Sequence, residues 1–484
     1  MDRKSIKNII KFLSIIGIIV NVFFFIPLIT GILYHENIKN FIYYEIISIL
    51  IFATILLILK NHKIEMHSKD AIFSVNIVWI MLGIMGAIPL MLLTHISFVN
   101  GFFESISGFT TTGATIYNEI SNLPKTALML RSTMHWIGGM GIIVLGVGLL
   151  SIINPTGSLT LFKSESTGIT LDKVTPKLKH TALKLWGVYL LLTILDLVLL
   201  KIEGMSLFDA INHAFATIST GGFSTKDESL GYYLNNYWIL WTTTIFMTIS
   251  GINFIAHIKL LKGDLSGYNS EEVKWYIILI IALGLGVSLV HYFSSNDSLF
   301  FALTHGFFTI SSILTTTGFA TIDYSKWGQV AIALIFIAML VGGNAGSTAG
   351  GIKVIRFVVM FKNLKAQIKK IVSPYSIISI KIDGKKISEN IISNVSAFIF
   401  LYILTVAIIS LYLFASGYDA LTSISASIAC VGNIGPGFGH VGPVDNFSFF
   451  TNFQKIILSI GMIIGRLEFY TFLVLFSKEF WKKF

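Results

Sequence analysis

Ser107-Gly108-Phe109-Thr110-Thr111-Thr112-Gly113-Ala114-Thr115 decides how this chain folds, because it does not stand alone. The frame returns as Ala216-Thr217-Ile218-Ser219-Thr220-Gly221-Gly222-Phe223-Ser224-Thr225 and as Ile313-Leu314-Thr315-Thr316-Thr317-Gly318-Phe319-Ala320-Thr321. A degenerate fourth copy reads Ala429-Cys430-Val431-Gly432-Asn433-Ile434-Gly435-Pro436-Gly437. With Gly113, Gly221, Gly318 and Gly435 taken as equivalent, the copies lie 108, 97 and 117 residues apart. One Thr-Thr-Thr-Gly is a small-residue patch of the kind that packs membrane helices. Four in register, at a near-constant period, mark an internal repeat.

Outward from these segments the chain is overwhelmingly apolar. Of its 484 residues 54% are hydrophobic and 12% charged, too little polar surface for a soluble globule of this size, and large soluble domains are excluded. Apolar runs long enough to span a bilayer lie at 12–33, 41–59, 71–95, 127–153, 182–202, 237–261, 274–293, 327–361, 390–416 and 453–477, ten in all. The first is too long for a signal-peptide core and reads as a retained helix. The four Thr/Ser/Gly segments, near 100–115, 206–224, 298–321 and 418–439, are too short and too polar to cross, so they read as re-entrant. The expected architecture is an all-α integral membrane fold. Four pseudo-repeated helix, re-entrant pore loop, helix units surround a central pore, at 70–153, 154–262, 263–362 and 363–484, and two extra N-terminal transmembrane helices precede them at 1–69.

Charge then assigns the sides. The four loops that contain the re-entrant segments sum to −6, and the alternate loops with both termini sum to +17. The positive-inside rule puts both termini in the cytoplasm and the re-entrant segments at the outer face. The most basic stretch, 353–386, serves as a topology anchor, with docking of a soluble partner or of anionic lipid as a second use. Nothing in the chain resembles a nucleic-acid motif. A lone Cys430 precludes intrachain disulfides and cysteine-cluster metal sites.

Such a composition suits the passage of a dehydrated cation. Backbone carbonyls from four short segments around one axis can replace a hydration shell. Glycine supplies the positive φ and the close approach this needs, and Thr and Ser hydroxyls support chain that has no helix ladder. Thr111, Thr112, Gly113, Ser219, Thr220, Gly221, Thr316, Thr317, Gly318, Asn433, Ile434 and Gly435 are the expected filter residues. Glu104, Asp209, Asp297, Asp323 and Asp419 near the mouth would favour cations.

A second interruption falls in the eighth span, where Gly342 to Gly351 holds five glycines in ten positions. Unwound backbone at membrane depth must line a cavity. Gly343, Asn344, Gly346, Ser347, Thr348, Gly350 and Gly351 are therefore a candidate gate under the filter, with helix packing through Gly346 and Gly350 as the structural alternative. Arg466, in the last span, points into the permeation path or pairs with that loop, the alternative being a snorkelling side chain. Arg131 reads as an outer-interface anchor, and His135, His213 and His305 as packed or hydrogen-bonded residues.

At these residues the sequence resembles the Trk/Ktr/HKT superfamily of cation transporters, most of all its TrkH branch. The marks are the four filter segments, the run Gly342-Gly343-Asn344-Ala345-Gly346-Ser347-Thr348-Ala349-Gly350-Gly351-Ile352-Lys353, and Gly465-Arg466-Leu467-Glu468. The resemblance implies a potassium-translocating subunit of the bacterial inner (plasma) membrane. Potassium is its substrate, held through the filter residues, and no cofactor is bound. It also implies glycine at every key filter position for potassium over sodium, a homodimer, and a cytosolic TrkA-type nucleotide-binding ring as partner. No chain of buried acids of the proton-relay kind is evident, which favours conduction down the ion's own gradient. A sodium-selective or weakly selective transporter of this fold, a multispan membrane enzyme and a scaffold are the competing readings.

Overall fold

The structure, a computed structural model, describes residues 3–141, 178–375 and 379–482. Six of the described helices are long and apolar enough to cross a membrane, or up to eight if two sharply bent pairs each count as one span. The N-terminal pair is α1 (Arg3–Leu33) and α2 (Lys39–Ile58). α2 leaves Ile46, Ile47, Leu50, Leu57 and Ile58 exposed, as a helix facing lipid does.

Four units follow. In the first, α3 (Ser68–Thr94) leads to a short helix α4 (Phe98–Phe109) and then to α5 (Lys125–Gly139). The second has α6 (Leu178–Ile202), the short α7 (Leu207–Ile218), and α8 (Tyr237–Ser250) bent by 99° into α9 (Phe254–Leu260). The third has α10 (Glu271–Ser294), α11 (Leu299–Leu314), α12 (Gln329–Val341) and, after a non-helical loop, α13 (Val354–Val372). In the fourth, α14 (Glu389–Ala415) and α15 (Ala420–Val431) precede α16 (Asn452–Arg466), which is bent by 113° from the segment beginning with α17 (Tyr470–Leu473). The remainder of the fourth expected span, residues 142–153, the repeat boundary set at 153, and the basic loop from 153 to 177 lie outside the described residues. The only sheet among the described residues is a two-stranded hairpin, Lys381–Ile382 with Lys385–Lys386, inside the basic stretch.

The hairpin of α1 and α2 is tied to the first unit by a carboxylate. Glu36, in its turn, accepts the backbone N–H of Lys125 at 2.6 Å and of Thr126 at 2.9 Å, and the Thr126 hydroxyl at 2.6 Å. These are the orphan donors of the first turn of α5, capped from another element.

Candidate functional site

The four short helices start and stop alike. Ser97, Ser206, Ser298 and Asp419 each cap the N-terminus by accepting a backbone N–H three residues on. At the other end Thr111, Thr220, Thr316 and Asn433 are all left-handed, with φ of 56°, 53°, 57° and 54°. Two hydrogen bonds close each end, the one spanning more residues running from the N–H of Thr112 to Ser107, Gly221 to Ala216, Thr317 to Ser312 and Ile434 to Ala429, at 2.8–2.9 Å. This is a Schellman stop, used four times. It satisfies the last carbonyls and directs the chain out of the helix while the negative helix ends face one centre.

The next residue is a glycine of positive φ in every copy, namely Gly113 (80°), Gly222 (81°), Gly318 (84°) and Gly435 (98°). The second unit therefore aligns one residue later than Gly221 implies. Gly221 corresponds to Thr112, and Ser219 is the C-cap of α7, equivalent to Thr110. Two adjacent glycines hid the register, although Phe223 matching Phe319 marks it.

Around the axis each of these glycines leans on the next unit. A Cβ on Gly113 would strike the carbonyl oxygen of Gly221, one on Gly222 that of Thr317, and one on Gly318 that of Ile434. One on Gly435 would lie 2.7 Å from the carbonyl oxygen of Thr112, which closes the ring. All four glycines line a single open cavity at the mouth, with Ala114, Ala320 and Pro436. The degenerate fourth copy holds its place through Asn433, whose amide donates to the Thr112 hydroxyl at 2.9 Å and to the Met462 carbonyl at 3.0 Å.

Around this ring the polar residues are paired within the protein. Glu104 and Arg131 form a buried ion pair at 2.8 Å, 0% and 1% exposed. Glu104 also accepts Ile116 N–H at 2.9 Å, and Arg131 donates to the Ser224 carbonyl at 3.2 Å with its guanidinium 4.0 Å from the Phe223 ring centre. Arg131 is thus a buried strut between the first and second units and not an interface anchor, and Glu104 does not face the mouth. His135 stacks on Phe223, His213 meets the Ser224 hydroxyl at 2.9 Å, and His305 the Thr321 hydroxyl at 2.8 Å. Asp209 receives Thr225 at 2.6 Å and pairs with Lys226 at 3.1 Å, Asp297 pairs with His291 at 2.9 Å, Asp323 with Lys326 at 3.2 Å, and Asp419 is a cap.

Beneath the ring lies the loop between α12 and α13. The Gly350 N–H donates to the Thr316 hydroxyl at 2.6 Å and the Gly351 N–H to the Gly432 carbonyl at 3.0 Å. The Thr348 hydroxyl donates to the Ile218 carbonyl at 3.1 Å, so the loop touches the ends of three pore helices. On its far side Asn344 N–H bonds the Gly251 carbonyl at 2.9 Å, the Gly346 carbonyl accepts Phe254 N–H at 3.0 Å, and Ala345 N–H reaches the Glu272 carboxylate at 2.6 Å. Ser347 turns back to the Asn344 carbonyl at 2.6 Å, and Gly343 accepts Val354 N–H at 3.1 Å. Lys353 ends the loop at φ 83°, a strained value for a lysine, with its ammonium on the Ala349 carbonyl.

Arg466 joins loop to ring. Its guanidinium donates to the Thr348 carbonyl at 3.2 Å, to Gly138 at 2.5 Å and Gly139 at 3.3 Å, and lies 3.4 Å from the Thr111 hydroxyl. Glu468 turns away to Arg356 at 2.7 Å. The sequence pointed to one interrupted span, yet α8 and α16 also break at this depth. Gly251, Ile252 and Asn253 separate the first pair of helices, and Leu467, Glu468 (φ 56°) and Phe469 (φ 61°) the second. The asparagine N-cap at 253 and the Gly465–Glu468 run were the available signals.

The sequence matches the profile of the TrkH cation transport protein family over residues 37–263 and 277–483. It is 36% identical over 428 residues, 87% of each chain, to the Trk system potassium uptake protein TrkG of Escherichia coli (strain K12). It is 32% identical over 479 residues, 98% of this chain and 97% of the other, to the Trk system potassium uptake protein TrkI of Halomonas elongata. The crystal structure of the potassium transporter TrkH from Vibrio parahaemolyticus superposes with a TM-score of 0.88 at 32% identity, covering 99% of this chain and 100% of that one.

Proposed function

This chain belongs to the TrkH family of cation transport proteins, and we propose that it forms the potassium uptake pore of an inner membrane. Potassium sheds water at the mouth and is held by the carbonyls that precede Gly113, Gly222, Gly318 and Gly435, with the negative ends of four pore helices behind them. The observation that carries this is the closed ring of contacts, each glycine against the carbonyl of the next unit. Only glycine gives both the backbone angle and the clearance. Permeation runs toward the side of the basic stretch, drawn by a potential contributing about 2.3 kcal/mol per charge per 100 mV.

The loop from Gly342 to Gly351 with Arg466 is the gate. It lies across the path under the filter, and its positive guanidinium opposes a cation at that level. Opening moves the loop off Thr316, Gly432 and Ile218. The chain works as a homodimer, and a cytosolic ring of TrkA type, carrying the nucleotide, docks on the basic surface around Lys365, Lys369 and Lys370 and moves α13.

Proteoliposome uptake of rubidium tests the reading, with sodium as competitor and with the ring protein present or absent. Uptake that resists excess sodium and rises with the ring supports it. Equal competition by sodium would point to the weakly selective alternative, and absence of flux with or without the ring would leave a scaffold.

A further inference from the structure

The first turn of α10 opens with two glutamates, and the fold puts them to different uses. Negative side chains suit a helix N-terminus, where backbone N–H groups lack partners and the dipole is positive, but successive residues on a helix do not face the same way. Glu272 turns to the loop under the filter, where its carboxylate accepts the Ala345 N–H at 2.6 Å. Glu271 turns to the hairpin of residues 381–386.

That hairpin is shaped to meet it. Ile382 pairs with Lys385 across a two-residue turn, Asp383 and Gly384, whose φ values of 47° and 75° are those an Asp-Gly connection favours. Ile382 is half-buried against the apolar cluster that includes Val273 and Tyr276 of α10 and Ile355 and Val358 of α13. Asp383 and Glu271 then grip each other twice. The Asp383 carboxylate accepts the Glu271 N–H at 2.7 Å, and the Asp383 N–H donates to the Glu271 carboxylate at 3.2 Å. The second Glu271 oxygen pairs with the Lys362 ammonium of α13, which also donates to the Lys381 carbonyl at 2.7 Å. Hairpin, α10 and α13 are thus clamped at one residue.

The Glu271 N–H has no acceptor within its own helix. Without Asp383 the turn keeps the cap of Ser270 on the Val273 N–H, at 3.4 Å a long bond, and a helix end so held frays. A continuous path therefore joins hairpin to loop, through Asp383, Glu271, its neighbour Glu272, and Ala345.

We propose that Glu272 is a positioning residue of the gate and that the hairpin sets it, by holding the first turn of α10 through Glu271. With the hairpin seated, Glu272 keeps Ala345 and the loop stays under the filter. With the hairpin lifted, the turn loosens, Ala345 loses its acceptor, and the loop is freer to leave Thr316 and Gly432. A movement of α13 that draws Lys362 off Glu271 undoes the same clamp.

The effect on flux rests on the gate reading above, whereas the linkage of hairpin to loop does not. Amide hydrogen exchange of the purified full chain, read by mass spectrometry over 342–353, follows the linkage. Rubidium uptake by proteoliposomes without the ring protein follows the gate. Glu272→Ala should raise both by at least roughly tenfold, the effect of one hydrogen bond to a carboxylate. Glu272→Gln, which still offers Ala345 an oxygen, should return both most of the way to wild type. Asp383→Gly keeps a residue that accepts positive φ and removes the carboxylate, and should raise both by roughly fivefold. Lys385→Ala, exposed and outside the clamp, should match wild type. Loop exchange at the wild-type rate in Glu272→Ala or in Asp383→Gly overturns the proposal, and if the first does not assemble the second decides alone. Exchange that quickens evenly along the whole chain also overturns it, since a merely structural role predicts that. Faster exchange confined to the loop, in proteins that pass no rubidium with or without the ring protein, would remove the gate reading and leave the linkage standing.

Discussion

The filter ring and the loop under it are both glycine-rich, non-helical and set in the middle of the bundle, yet they are held in opposite ways. Each filter segment closes on its own pore helix through the paired Schellman bonds, and only then meets its neighbour. The loop has few bonds of its own. Asn344, Ala345, Thr348, Gly350 and Gly351 are tied to Gly251, Glu272, Ile218, Thr316 and Gly432, all on other elements. A segment that carries its own constraints stays put when its surroundings shift, while one that borrows them moves with whatever lends them. The same residue type thus makes a self-braced segment in one place and one held by its neighbours in another.

The contrast can be broken most severely from behind the filter. Replacing Arg131 by Met leaves Glu104 a buried, unpaired charge, expected to cost about 3–5 kcal/mol. Thermal unfolding in detergent should show the loss, and an unchanged midpoint would mean that the pair does not brace the ring. Next in size is Gly222→Ala. A left-handed alanine costs about 1–2 kcal/mol before its Cβ meets the Thr317 carbonyl, so potassium over sodium preference in rubidium uptake should drop by at least roughly tenfold. Gly204→Ala, positive in φ but in open surroundings, serves as the control.

On the movable side, Arg466→Ala removes the hydrogen bonds that fasten Thr348 to Gly138 and Gly139. Basal uptake without any partner should rise by roughly fivefold to thirtyfold, as for one or two net hydrogen bonds, and selectivity should hold. A variant that loses selectivity instead would place Arg466 in the fixed part. The smallest effect is expected at the caps. Ser298→Ala should lower stability by about 1 kcal/mol, read as a small shift in melting, with flux ratios intact.

The repeat, the four re-entrant segments and the one long glycine-rich interruption are legible in the sequence because they are local patterns of hydrophobicity and glycine. What could not be read is whatever depends on a partner brought from far along the chain. Arg131 reads as an anchor until folding sets it against Glu104 and Phe223. Gly221 reads as the key glycine until the backbone gives Gly222 the positive φ. The breaks after α8 and α16 carry one or two glycines each, too weak a signal against long apolar runs.

The last link of the ring runs from Gly435 back to Thr112. All but the last 49 of the 484 residues precede or include the point at which that link has both its ends. A nascent chain halted anywhere short of the fourth segment has an arc where the finished protein has a circle. The ring of glycine–carbonyl contacts is thus complete only near the end of synthesis.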